Sequence, residues 1–203
     1  LAQRRKRRVG LLGGSFNPAH EGHRHISVMA LKLLDLDEIW WLVSPQNPLK
    51  PAAGMAPFAE RLRYAITVAH HPRIKVSGLE TGLGTRFTAD TLTALHRRFS
   101  QARFVWLMGA DNLAQIHRWA GWNRIFERTA IAVLARPAYS LWSLAGPAAH
   151  RYARSRRPAR RSRGLATAEP PAWTFLPIRL MPVSATQLRA DGLGLPSHKP
   201  ASL

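Results

Sequence analysis

Short β-rich runs alternate with amphipathic stretches along this chain. Val9 to Leu12 is an apolar run closed by two glycines and predicts a first strand. From Gly22 the apolar positions Ile26, Met29, Ala30, Leu33 and Leu34 recur at helical spacing, which predicts a one-faced helix. Glu38 to Ser44 (EIWWLVS) reads as a buried strand stopped by Pro45. Helix over Phe58 to His70, strand over Arg73 to Ser77 and helix over Phe87 to Phe99 follow. Phe104 to Met108 is a wholly apolar strand ending at Gly109; short helices over Asn112 to Arg118 and Trp122 to Glu127 lead to a strand over Thr129 to Ala135. Strands that alternate with helices pair in parallel through crossovers, so the expected architecture is a doubly wound, mostly parallel α/β sheet with helices on both faces.

Two segments break that rhythm. Ser44 to Pro57 carries four prolines and predicts a long loop at a strand's carboxyl end, the side where such sheets bind ligands. His150 to Pro171, rich in Arg, Ala and Pro, is expected as a mobile surface loop or insertion. Trp173 to Leu180 then reads as a strand, and VSATQLRADG as a helix with Ser184 as its N-cap. The organisation expected is one domain over 9–203, with a basic run at 1–8, the insertion at 150–171 and a helical portion at 184–203.

Charge sharpens the picture. The 203 residues hold 30 Lys and Arg against 11 Asp and Glu, a formal net of +19. Twelve of the basic residues lie in two acid-free runs, 4–8 and 151–163, and the remaining 18 exceed the acids by only 7. A mildly basic body suits a phosphorylated small molecule as well as it suits RNA. Neither run is interleaved with base-stacking aromatics, so both are expected as solvated charge rather than a nucleic-acid site. Cysteine is absent, which removes disulfides, thiolate metal ligands and Cys nucleophiles. No apolar run reaches the ~18 residues of a membrane span, and a cytoplasmic protein with no membrane partner is expected. Homo-oligomerisation is left open.

The densest chemistry is in GGSFNPAHEGH, Gly13 to His23. Glycines at the end of a first strand let backbone N–H groups approach a phosphate, and the helix that follows adds its positive end. No Lys-Ser or Lys-Thr follows, so this is not a P-loop, and the third glycine of the dinucleotide fingerprint is missing. In their place stand His20 and His23, two imidazoles able to face one phosphate. His25 has no such pattern and reads as a surface residue. A metal site of His20, His23 and His25 lacks carboxylates beyond Glu21 to complete it.

GGSFNPAHEGH resembles the G-G-(T/S)-F-(D/N)-P-x-H-x-G-H signature of the nucleotidyltransferases that carry a (H/T)-x-G-H motif. Further segments resemble one branch, the nicotinate-nucleotide adenylyltransferases of NAD biosynthesis. QNPLKP at 46–51 is similar to its Pro- and Lys-containing loop, and FTADTL at 87–92 to its S-Y-T-x-x-T-L segment. GADNLAQIHRWAGWNRI at 109–125 is similar to its Asp–Trp element. VLARP at 133–137 and VSATQLR at 183–189 resemble its later strand and its terminal I-S-S-T-x-I-R motif. Asn17, Leu49 and Ala185 depart from the Asp, His and Ser that many members have there.

The resemblance implies a Rossmann-like fold and transfer of AMP from ATP, with Mg²⁺, to nicotinate mononucleotide. It implies His20, His23, Lys50 and Arg189 as the catalytic donors. Gly13, Gly14, Ser15, Phe16, Ser184 and Thr186 are implied for ATP; Thr88, Ala89, Asp111, Trp119 and Arg136 for the mononucleotide, with Trp119 stacking on the pyridine. From the residues alone, Asp111 also reads as a helix N-cap, Arg136 as a strand cap, and Trp40, Trp41, Trp106 and Trp122 as packing. Rival readings are sister enzymes acting on nicotinamide mononucleotide or phosphopantetheine, a cytidylyl transfer, or a basic RNA-binding module. The last gives no reason for a Ser-x-Thr-x-x-Arg motif to accompany His-x-Gly-His.

Overall fold

A computed structural model describes residues 5–45, 54–135, 140–178 and 185–190. Along the chain run β1 (Arg7–Gly14), α1 (Glu21–Leu33), β2 (Glu38–Val43), α2 (Phe58–Ala69), β3 (Ile74–Ser77), α3 (Leu79–Leu83), α4 (Thr88–Arg98), β4 (Ala102–Gly109) and α5 (Ala110–Gln115). A 3₁₀ turn at Ile116–Arg118 leads to α6 (Trp122–Arg128), β5 (Ala130–Leu134), α7 (Ser140–Leu144), α8 (Pro147–Arg151), β6 (Arg156–Arg157), β7 (Trp173–Leu176) and α9 (Ala185–Ala190). The strands form one sheet in the order β3-β2-β1-β4-β5-β7-β6. Every pairing in it is parallel. Strand order reverses direction between β1 and β4, so the crevice beyond their carboxyl ends is the topological switch point where ligands of such sheets bind.

Alternation within the strands sorts the core into two layers. Leu12, Trp41, Leu107, Ala132 and Leu176 face one side, with Ala30 and Leu34 of the α1 region and Ala65 of α2. Val9, Leu11, Trp106, Ile131 and Trp173 face the other, with Leu92 of α4, Leu113 of α5 and Phe126 of α6. Helix α1 ends without a glycine; Asp35 takes the left-handed turn (φ 52°) just beyond Leu34, a conformation Asp tolerates better than most residues.

The described basic residues of both runs are exposed, Arg8 apart, as solvated charge should be, yet several of them have local partners. Arg5 pairs with Asp37 at 2.7 Å, Arg7 with Glu38 at 3.3 Å, and Arg8 with Asp35 and Asp37. Acids 27 to 32 positions downstream reach this run because β1 and β2 lie side by side. The Arg-rich stretch expected as a loop is a chain of short elements. Residues Ala159–Thr167 form a 3₁₀ helix that buries Leu165 and Ala166 in the first core layer, and Ser162 Oγ donates to the Leu33 carbonyl at 2.8 Å. β6 adds to β7, whose Thr174 Oγ1 donates to the Arg157 carbonyl at 3.0 Å. Arg151 lies over the rings of Trp122 and Tyr152, and Arg156 over those of Trp173 and Phe175. A run-based reading misses this, because the apolar positions that anchor the segment are too few to give a period.

Leu165→Ala is therefore expected to destabilise the fold by about 2–4 kcal/mol through the cavity it leaves. Exposed Arg160→Ala should stay within about 0.5 kcal/mol. Urea denaturation of the two variants checks the difference; equal midpoints would contradict the packing of this segment.

Candidate active site

Gly13 and Gly14 close β1, yet they serve different ends. A Cβ on Gly13 would lie 2.4 Å from Cη2 of Trp106, so the absent side chain makes room for an indole on the neighbouring strand. At Gly14 the nearest atom to an added Cβ is 3.6 Å away, an ordinary contact. Packing against the neighbouring strand thus accounts for glycine at Gly13, whereas no neighbour calls for it at Gly14. Phe16 turns the chain with φ 46°, a left-handed conformation that costs a non-glycine residue about 1–2 kcal/mol. Packing holds it there: the Phe16 ring stacks on Trp41 at 5.1 Å and meets His23 at 4.8 Å.

His20 is the N-cap of α1, only 5% exposed, and its ring centroid is 3.8 Å from that of His23. The His20 backbone N–H donates to His23 Nδ1 at 3.1 Å. That bond settles the His23 tautomer: Nδ1 accepts, so the neutral ring carries its proton on Nε2. The next turn is anchored from the sheet. Trp41 Nε1–H donates to Ser27 Oγ and Ser27 Oγ–H to the His23 carbonyl, both at 2.8 Å.

The loop is clasped from the other side by polar groups that periodicity does not reveal. Asn17 Nδ2 donates to the Gly54 carbonyl at 3.0 Å, and its Oδ1 accepts from the Ala56 N–H at 3.2 Å. Its own carbonyl accepts from Arg189 of α9, whose other arm reaches Thr186 Oγ1 at 3.3 Å. Arg61 of α2, 1% exposed, donates to the carbonyls of Ser15, Ser44, Pro45 and Ala56. One sequence signal for it existed: Arg61 stands in the apolar stripe that Phe58, Ala65 and Ala69 define on α2.

Across the switch point, β4 delivers Asp111. The register of Leu12 beside Leu107 brings Gly14 and Gly109 out at the same end of the sheet. Gly109 is the N-cap of α5, so Asp111 lies inside the first turn and is not the capping residue. Trp119 follows the 3₁₀ turn, half-buried against the second core layer, and its indole N–H has no hydrogen-bond partner among the described residues. Trp106 and Trp41 are core, while Trp40 and Trp122 are half-buried against the second layer. Thr88 opens α4 and Ala89 is buried behind it. The loop before them is tied by Thr85 Oγ1 to Thr91 Oγ1 at 2.8 Å, and Thr91 also donates to Glu80 of α3 at 3.4 Å. Burial raises the Glu80 carboxyl to about 7, against the lowering effect of the Thr91 bond. Lys50, Arg136 and Ser184 lie outside the described residues.

The cytidylyltransferase-like family matches residues 11–191, nearly the whole chain. The probable nicotinate-nucleotide adenylyltransferase of Cereibacter sphaeroides is 53% identical over 184 residues, covering 91% of this chain and 97% of that one. The chain belongs to the nicotinate-nucleotide adenylyltransferases. A second relative in this branch, the probable enzyme of Gluconacetobacter diazotrophicus, is 48% identical over 196 residues, 97% of this chain and 91% of its own. In fold the adenylyltransferase is similar to the Plasmodium falciparum nicotinic acid mononucleotide adenylyltransferase complexed with NaAD, with a TM-score of 0.67. Identity there is 16%, over 91% of this chain and 83% of that one. No helix among the described residues of this adenylyltransferase is long and apolar enough to cross a membrane.

Asn17→Asp in this adenylyltransferase keeps the acceptor for Ala56 but turns the donor to Gly54 into a second acceptor. Leaving that carbonyl unpaired is expected to cost about 1–3 kcal/mol, read as a lowered urea midpoint. Glu80 carries a pH signature. Its folded value lies above the ordinary carboxyl value of 4.5, so the folded state binds the extra proton and stability declines as pH rises from about 4.5 to about 7. Glu80→Gln should raise Tm at pH 8 and lose that advantage by pH 5; a constant gap across the range would contradict a buried carboxyl.

Proposed function

We propose that this chain moves the adenylyl group of ATP onto the phosphate of nicotinate mononucleotide, forming deamido-NAD and releasing pyrophosphate, in the cytoplasm. The observation that carries the assignment of chemistry to residues is the packed His20–His23 pair at the turn between β1 and α1, beside the switch point. A phosphate oxygen of the mononucleotide attacks the α-phosphorus of ATP in line. The bond from that phosphorus to the β-bridging oxygen breaks, and pyrophosphate leaves with the electron pair. A phosphate monoester has its second pKa near about 6, so the nucleophile is already ionised at neutral pH and needs no general base. The protein's task is to hold two anions together and to stabilise the charge that grows on the transferring and leaving groups.

His23 is suited to this by its tautomer, since Nε2–H donates while Nδ1 is occupied by the His20 backbone. His20, at the helix N-cap, stands beside it. Lys50 and Arg189 join them as cationic donors. Arg189 spends part of its guanidinium on Asn17 and Thr186, leaving its remaining N–H groups for phosphate. Gly13, Gly14, Ser15 and Phe16 offer backbone to ATP, with Ser184 and Thr186 meeting phosphate from α9. Thr88 and Ala89 receive the nicotinate end, Trp119 stacks on the pyridine, Asp111 accepts from ribose hydroxyls and Arg136 faces the mononucleotide. Mg²⁺ enters with ATP as part of the substrate, held by polyphosphate oxygens, which hard cations prefer. Imidazoles, hydroxyls and backbone N–H groups are donors for phosphate, so the site residues fit an ion that arrives already bound to it.

The reading is tested by pyrophosphate release from MgATP with nicotinate mononucleotide, nicotinamide mononucleotide and phosphopantetheine in parallel. Turnover is expected with the nicotinate substrate. His20→Ala and His23→Ala should each lower kcat by about 10²–10³ with little change in KM, the mark of an interaction made in the transition state. Wild-type turnover in both variants would remove the imidazoles from the mechanism.

A further inference from the structure

Arg61 is among the largest fully buried side chains of the molecule, and it is charged. No carboxylate pairs with it among the described residues. Taking a cation out of water is costly unless its donors are satisfied, and here backbone carbonyls alone satisfy them. An apolar residue would fill that position of α2 without the penalty. The four carbonyls it meets are not scattered. Ser15 lies between Gly14 and Phe16; Ser44 and Pro45 continue β2, whose Ser44 N–H donates to the Gly14 carbonyl at 2.9 Å; Ala56 belongs to the segment that Asn17 clasps. One guanidinium thus ties together the three backbone segments around the end of β1.

The Ser15 bond has a geometric consequence. In a trans peptide the carbonyl and the following N–H point in opposite directions. With the Ser15 carbonyl turned inward to Arg61, the Phe16 N–H is turned away from the guanidinium, to the outer side of the loop. We propose that Arg61 is a positioning residue for the triphosphate of ATP: it aims the Phe16 N–H outward, locks the β1 and β2 ends together, and places a buried positive charge behind the loop. A charge shielded from solvent acts on a nearby anion more strongly than an exposed one. Lysine does not substitute, because one ammonium has three donors at a single point, whereas four carbonyls on different residues call for a planar fork. The proposal rests on placing the ATP phosphates at Gly13–Phe16.

Steady-state kinetics of Arg61→Lys, Arg61→Met, Gly14→Val and Leu165→Ala test it, with Tm recorded for each. A folded Arg61 variant is expected to raise KM for ATP by about tenfold or more while KM for nicotinate mononucleotide stays within about threefold. Leu165→Ala, destabilised in the segment that packs against β4, β5 and β7, should lower Tm and leave both KM values in place. An Arg61 variant with wild-type KM for ATP, or with both KM values raised alike, overturns the proposal. Gly14→Val separates the two readings. If it leaves KM for ATP unchanged, the phosphate placement falls and the proposal with it. If it raises KM for ATP and the Arg61 variants do not, Arg61 alone is misassigned. Should neither Arg61 variant fold, hydrogen exchange of the Arg61 Nε–H in the wild-type protein decides. Slow exchange without and with ATP is expected; fast exchange in the free enzyme rules out the clamp.

Discussion

On the function proposed above, the turn from Ser15 to His20 presents its backbone to a polyanion on one side, so the bonds that hold it come from the other. That one-sidedness organises the surroundings of the site. Phe16 is pinned in a left-handed conformation by stacking on Trp41, and Arg61 takes the Ser15 carbonyl from beneath. Asn17 reaches sideways to Gly54 and Ala56, while α9 closes on its carbonyl through Arg189. Each fastening comes from a different element, so the turn takes its shape only when β2, α2 and α9 are in place.

The same economy governs charge. The chain carries a large basic excess, and part of what reads as surplus in the runs has a local use. Arg5, Arg7 and Arg8 are matched by Asp35, Asp37 and Glu38 at the amino end of the sheet. Arg151 and Arg156 cover aromatic rings with their guanidinium faces, contacts that draw on both packing and the ring quadrupole. Arg61, by contrast, has no acid partner among the described residues, at the carboxyl end of the sheet where the proposed function places the phosphates. Pairing away from the site and leaving a cation unmatched beside it is a sensible disposition for a protein that must attract two anions to one place.

Structural neighbours of low identity show how little of this architecture depends on particular side chains. At 16% identity the sheet and its helices are retained. What must be kept is the parallel order that brings the ends of β1 and β4 side by side, since this sets where the residues that follow the two strands emerge. Gly13 shows how one position of a dipeptide can be a fold requirement while the next is not. Its missing side chain is taken up by Trp106, whereas that of Gly14 is not taken up by any neighbour.

Local pattern alone determined the order of the longer strands and helices, the parallel crossovers and the position of the His20–His23 turn, because helical and strand periodicities and glycine pairs are properties of neighbours in the chain; the short elements α3, α7, α8 and β6 it did not give. It also marked Asp111 as a residue at a strand end, while Trp119 was singled out by the family resemblance. Tertiary structure decided the rest. Arg61 reads in sequence as a flaw in an apolar stripe, and its four carbonyl partners lie between 5 and 46 positions away. Asn17 reads as a departure from Asp until Gly54 and Ala56 come within reach of its amide. The Arg-rich 159–167 segment looks like solvated loop until Leu165 finds the sheet and Ser162 the end of α1, 129 residues earlier. Hydrogen bonds of that span leave no period in the chain, since the groups become neighbours only after the sheet has formed.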